Sequence, residues 1–94
     1  MSEAAHSVSG ALTFDTVPDL YRSSAGWFQS DTGDLTLDLA QVTHTDSAGL
    51  ALLVEWLRRA RDGKRRLRFT NVPMQMQTLI QINGLQDALL DKTP

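Results

Sequence analysis

Two kinds of hydrophobic spacing alternate along the chain. Residues 5–14, A-H-S-V-S-G-A-L-T-F, read as a strand. Gly10 lies inside it, and glycine within a strand marks a bulge or a kink. From Val17 the spacing becomes helical, with Val17, Leu20, Tyr21, Ser24, Trp27 and Phe28 on one face. Thr16 is placed to cap that helix, Asp19 completes a T-x-x-D, and Pro18 is tolerated in the first turn. The helix ends near Gln29, and residues 30–34 form a turn. Leu35, Leu37 and Leu39 then alternate with Thr36 and Asp38. That is a half-buried strand. Helices on both sides of a sheet would require apolar residues throughout, so the helices pack mainly on one face.

After the polar tip Thr45-Asp46-Ser47 a long helix runs from Ser47 to Arg61. Leu50, Leu53, Val54, Leu57 and Ala60 are its expected core stripe. Ala48, Ala51, Leu52, Glu55 and Arg59 occupy the opposite face, with Trp56 at the margin. Gly63 in Asp62-Gly63-Lys64 stops it, and the arginines of its last turn suit the helix dipole. Residues 65–70 alternate again, with Leu67 and Phe69 apolar. A third helix begins at Asn71-Val72-Pro73, buries Met76, Leu79, Ile80 and Ile82, and stops at Gly84. Leu85 to Leu90 form a short amphipathic piece. The ends, 1–4 and 91–94, are expected to fray around a single domain. The order β-α-β-α-β-α implies an α/β fold with parallel neighbours and right-handed crossovers.

Composition narrows the chemistry. The 94 residues are 41% apolar and 21% charged, contain no cysteine, and carry a net charge of −2. A disulfide framework and a thiolate metal site are excluded. No apolar run reaches the length of a membrane span, and the N-terminus lacks the features of a signal peptide, so a cytoplasmic location is expected. There is no G-x-x-x-x-G-K-[ST] phosphate loop. His44, Asp46 and Ser47 lie too close in one loop to work as a triad, and the G-x-S-x-G elbow is missing. Two histidines far apart give no metal signature. Neither an enzyme nor a cofactor is expected.

Three features remain with two readings each. Ser47 is either a helix cap shared with Asp46 or a contact and phosphorylation site. A phosphoryl group there would add about −1.5 to −2 charges, favoured by the helix N-terminus and opposed by Asp46. Leu52 and Trp56 are either covered by another helix or form a partner-binding patch, with Ala48 and Ala51 allowing close approach. Seven of the nine Lys and Arg residues fall between Arg58 and Arg68. They are either a solvated helix end or a surface attracted to anionic lipid or acidic protein. The negative net charge and the lack of interleaved aromatics argue against nucleic acid.

The block L-T-L-D-L-A-Q-V-T-H-T-D-S-A-G-L-A-L-L, residues 35–53, resembles the STAS domain, named for sulphate transporters and anti-sigma factor antagonists. I-N-G-L, residues 82–85, is similar to that family's third-helix ending. The resemblance implies a mixed sheet of about four strands with helices on one face, and a binding module. Only one strand precedes the first helix here, where the family often has two, which leaves a sheet edge open. Two branches compete. In antagonists of anti-sigma factors, a serine at the position of Ser47 is the substrate of a partner kinase. Residues 48–61, A-G-L-A-L-L-V-E-W-L-R-R-A-R, and 65–73, R-R-L-R-F-T-N-V-P, look most like the MlaB branch. Those are small subunits of the phospholipid ABC transporter that maintains outer-membrane lipid asymmetry in Gram-negative bacteria. That likeness implies docking on the ATPase subunit, and through it on the permease complex at the cytoplasmic side of the inner membrane. The implied contact residues are Thr45, Asp46, Ser47, Ala48, Ala51, Leu52, Glu55, Trp56 and Arg59, with membrane contact at Arg58–Arg68.

Overall fold

Three strands line up in the order β1-β2-β3, and both pairings are parallel. In this computed structural model the described residues are 3–29 and 33–90. They form β1 (Glu3–Leu12), α1 (Val17–Ser23), a 3-10 turn (Ala25–Phe28), β2 (Asp34–Thr45), α2 (Ser47–Asp62), β3 (Leu67–Thr70), α3 (Met74–Ile82) and α4 (Gln86–Leu89). The expected α/β order therefore holds, with three strands among the described residues. β1 reaches back to Glu3 and Ala4, which pair with Asp34 and Leu35, so this part of the N-terminal end is not frayed. The expected fraying at 91–94 and most of the 30–34 turn lie outside the described residues.

One face of the sheet builds the core. Leu35, Leu37 and Leu39 of β2 are fully buried beneath α2 and α3, with Val8, Leu12 and Phe69 beside them. β2 is longer than its alternating leucines suggest, because it continues past Leu39 through two register shifts against β1. One shift sits between Gly10 and Leu12, and Gly10 takes φ +85° there. The glycine is thus the kink its position in the strand implies, in a backbone region that other residues seldom enter.

Helix ends explain other details. Thr16 does not cap α1 with its side chain. Its hydroxyl instead donates to the Ala11 carbonyl at 2.7 Å and accepts the Thr13 N–H at 2.9 Å, which tightens the β1–α1 turn. The long first helix expected to Gln29 breaks at Ser24 and finishes as the 3-10 turn. Gly63 caps α2 at a negative φ, and the left-handed position passes to Lys64 at φ +58°. Gly84 stops α3 at φ +68°, as expected. Ile82 is not in the core; it is 74% exposed.

α2 is buried over an arc different from its expected stripe. Gly49, Leu50, Leu52, Leu53, Trp56 and Ala60 are buried, while Val54 and Leu57 are only partly so. At 100° per residue the arc is rotated by about 60° from the predicted centre. Leu52 and Trp56 are therefore core residues, at 2% and 0% exposure. The cause is the segment 17–28, which folds across α2. The Trp56 indole donates to Ser24 Oγ at 2.9 Å, and Trp27 lies 5.7 Å from Trp56 and stacks on His6 at 4.5 Å. An indole N–H in a core needs an acceptor, and the buried Ser24 supplies it.

Candidate functional site at the carboxyl end of the sheet

Because the strands are parallel, β1, β2 and β3 all end on one side of the molecule. Open α/β sheets place their binding residues there. Thr45-Asp46-Ser47 occupies the middle of that edge, at the turn from β2 into α2.

Each residue of the tip has a distinct task. Thr45 is buried; its hydroxyl donates to the Leu12 carbonyl at 3.1 Å, and its N–H donates to Gln75 Oε1 at 2.9 Å. It fastens the tip to β1 and α3 and is no contact residue. Asp46 is the N-cap of α2. One carboxylate oxygen accepts the Ala48 N–H at 2.8 Å, and the other accepts the Phe14 N–H at 3.1 Å. The Phe14 N–H is the main reason its pKa lies below the ordinary carboxylate value; the Ala48 N–H acts in the same direction and partial desolvation opposes them. With both oxygens taken by backbone donors, Asp46 is a structural cap.

That assignment settles one reading of Ser47. The cap is Asp46 alone. Ser47 is the first residue of α2, it is exposed, and its hydroxyl has no hydrogen-bond partner among the described residues. Gly49 explains the next turn: a Cβ at this position would stand 2.0 Å from Thr45 Oγ1 and 2.8 Å from the Leu12 carbonyl oxygen. Only glycine lets α2 start this close to the end of β1.

The surface beyond Ser47 is apolar. Val17, Pro18, Tyr21, Ala51, Leu52 and Glu55 line a groove of about 260 Å³ between α1 and α2. Ala51 is exposed at its rim, Ala48 is half-buried beside it, and Leu52 is its floor. Arg59 lies over the Tyr21 ring at 4.1 Å, and Glu55 pairs with Arg58 at 2.9 Å. The sequence pattern did not reveal Phe14, which stands 80% exposed next to Asp46. Phe14 reads as the last residue of the first strand, but β1 ends at Leu12 and leaves it in the turn.

Of the residues expected to make contacts, Asp46, Ser47, Ala48, Ala51, Glu55 and Arg59 come together on this surface. Thr45, Leu52 and Trp56 support it from within. Asp38, farther back along β2, is not a free acid. Asp38 accepts from Asn71 Nδ2 at 3.0 Å and from the Ala40 N–H at 2.9 Å, which together hold its pKa down.

The family model described as "Mlab, STAS domain" matches residues 2–91. The chain belongs to the STAS-domain family. As a STAS domain it is similar to the anti-sigma-B factor antagonist of Staphylococcus epidermidis, at 33% identity over 82 residues, covering 87% of this chain and 76% of that protein. It is 32% identical to the Staphylococcus aureus protein of the same name over the same coverage. The fold matches the unphosphorylated anti-sigma factor antagonist SpoIIAA with a TM-score of 0.73, at 20% identity, over 99% of this chain and 83% of that one. The phosphorylated form of SpoIIAA from Bacillus gives 0.69 at 18% identity, over 99% and 86%. None of these names denotes a catalyst. Among the described residues of this STAS domain, no helix is long and apolar enough to cross a membrane.

Proposed function

We propose that this STAS domain is a non-catalytic regulatory module that docks a partner protein on the surface around Ser47. The observation that carries the reading is the division of labour at the tip. Asp46 alone caps α2, so Ser47 is left with an exposed, unengaged hydroxyl beside an apolar groove. A modification there changes charge at the rim of the groove without undoing a cap.

Two partners are proposed for this surface. One is the ATPase subunit of a phospholipid ABC transporter that maintains outer-membrane lipid asymmetry. The description of the matched family and the residues 48–61 and 65–73 support it. In that setting the chain stabilises the ATPase and reaches the permease and the cytoplasmic side of the inner membrane only through it. The other is an anti-sigma factor, with this chain as its antagonist, switched by phosphorylation of Ser47. The named relatives lend this second reading more support than they lend the first, and the free hydroxyl of Ser47 suits it.

Purified ATPase subunit and purified anti-sigma factor, each titrated with the chain, separate the two. The transporter reading expects binding to the ATPase and no phosphoryl transfer. The antagonist reading expects binding to the anti-sigma factor and ATP-dependent phosphorylation that disappears in Ser47→Ala. Binding to neither protein overturns both.

A further inference from the structure

Met74 and Ile82, on the outer side of α3, are each 74% exposed. Thr78 lies between them and is exposed as well. Positions four apart lie one above another on a helix, so the three make a stripe. Gln75 and Gln81 border it. Between Arg68 and Asp87 the sequence holds no charged residue at all, in a chain that is 21% charged. A helix face kept in water normally carries charge. Loss of charge together with enrichment in methionine marks the centre of protein interfaces.

The stripe adjoins the Ser47 tip, since Gln75, the residue after Met74, accepts the Thr45 N–H. Size then selects the occupant. α3 has nine residues, hence a length of about 14 Å and a width of about 10 Å. Its exposed face is a small fraction of the roughly 800 Å² per partner that a stable complex buries. A second copy held by α3 alone falls far short. A protein already seated on Ser47 gains the stripe as an extension of the same contact.

We propose that Met74 and Ile82 anchor the protein that docks at Ser47, and that the part of that partner facing α3 is apolar and uncharged. A charged partner surface would lose its hydration against a stripe that offers no counter-charge. The proposal rests on the Ser47 docking reading.

The test uses the full chain and whichever of the purified ATPase subunit or anti-sigma factor binds it. Met74→Glu/Ile82→Glu is expected to weaken binding by about 30-fold or more, with an unchanged circular dichroism spectrum because both side chains are exposed. Met74→Leu/Ile82→Leu is expected to bind within about threefold of the original. If the glutamate variant binds within threefold while Ser47→Arg loses binding, α3 lies outside the interface and the Ser47 reading stands. If both variants bind normally, or the original chain binds neither protein, both readings fall. A dimer of the chain alone, broken by the glutamate variant in light scattering, would make the stripe a self-interface and overturn the proposal.

Discussion

Asp46 and Ser47 are adjacent and do opposite things, and the difference is measurable. Asp46 has a folded-state pKa lowered chiefly by the Phe14 N–H. Its ionised form therefore adds stability that is fully present above the unfolded value of about 4 and fades as pH falls through the lower folded value. Asp38 is lowered as well and contributes with the same sign. Thermal melts between pH 6 and pH 2 should fall more steeply for the original chain than for Asp46→Asn; parallel curves would show that the carboxylate is not engaged. Ser47→Ala should leave the melting temperature unchanged, since Ser47 caps nothing. Gly49→Ala forces a methyl group against Thr45 Oγ1 and the Leu12 carbonyl, and should cost about 1–3 kcal/mol. In a domain of this size 1 kcal/mol corresponds to about 4–8 °C in melting temperature, so scanning calorimetry resolves the effect.

Among the elements, α2 shows best what the sequence discloses. Its limits, its stop at Gly63 and its buried Leu50, Leu53 and Ala60 follow from periodicity. The burial of Leu52 and Trp56 does not, because it depends on the residues 17–28 crossing over α2 from another part of the chain. A hint existed in Ser24, a serine on an otherwise apolar helical face, which is the acceptor for the Trp56 indole. Trp56→Ala should therefore destabilise the fold by about 3–5 kcal/mol and affect binding only through that loss. Trp56→Phe should cost less, about 1–3 kcal/mol, from the lost hydrogen bond and reduced packing. Urea melts of the two variants check this order. If both melt like the original chain, Trp56 is not a core residue. The β2–α2 block was legible for a different reason. Its polar tip and the helical spacing after it are local signals, whereas the burial of Thr45, expected at the contact surface, depends on Leu12 and Gln75 far away in sequence. Phe14 was not legible, because exposure of a single aromatic leaves no periodic trace.

At the scale of the whole molecule, charge and apolar surface are divided between two poles. α2, with 16 residues, spans about 24 Å from Ser47 to the basic segment. The arginines there do not form one uniform patch. Arg65 is buried, with Nη1 donating to the Trp27 carbonyl at 2.8 Å and Nε to the Gly33 carbonyl at 3.2 Å. Arg59 lies on Tyr21 and Arg58 pairs with Glu55. Arg61, Lys64 and Arg66 are exposed at that end, and they are the residues on which contact with anionic lipid would depend. Reversing charge at two of them should leave partner binding within about twofold, since rim charges far from an interface act mainly on encounter rates and are screened by salt. The most direct measurement is therefore a paired titration against the bound partner, ATPase subunit or anti-sigma factor, by isothermal calorimetry. Docking at the Ser47 pole predicts that Ser47→Arg weakens binding by about 100-fold while Arg61→Glu/Lys64→Glu leaves it unchanged; the reverse result, with Ser47→Arg binding normally and the basic end essential, would contradict the account.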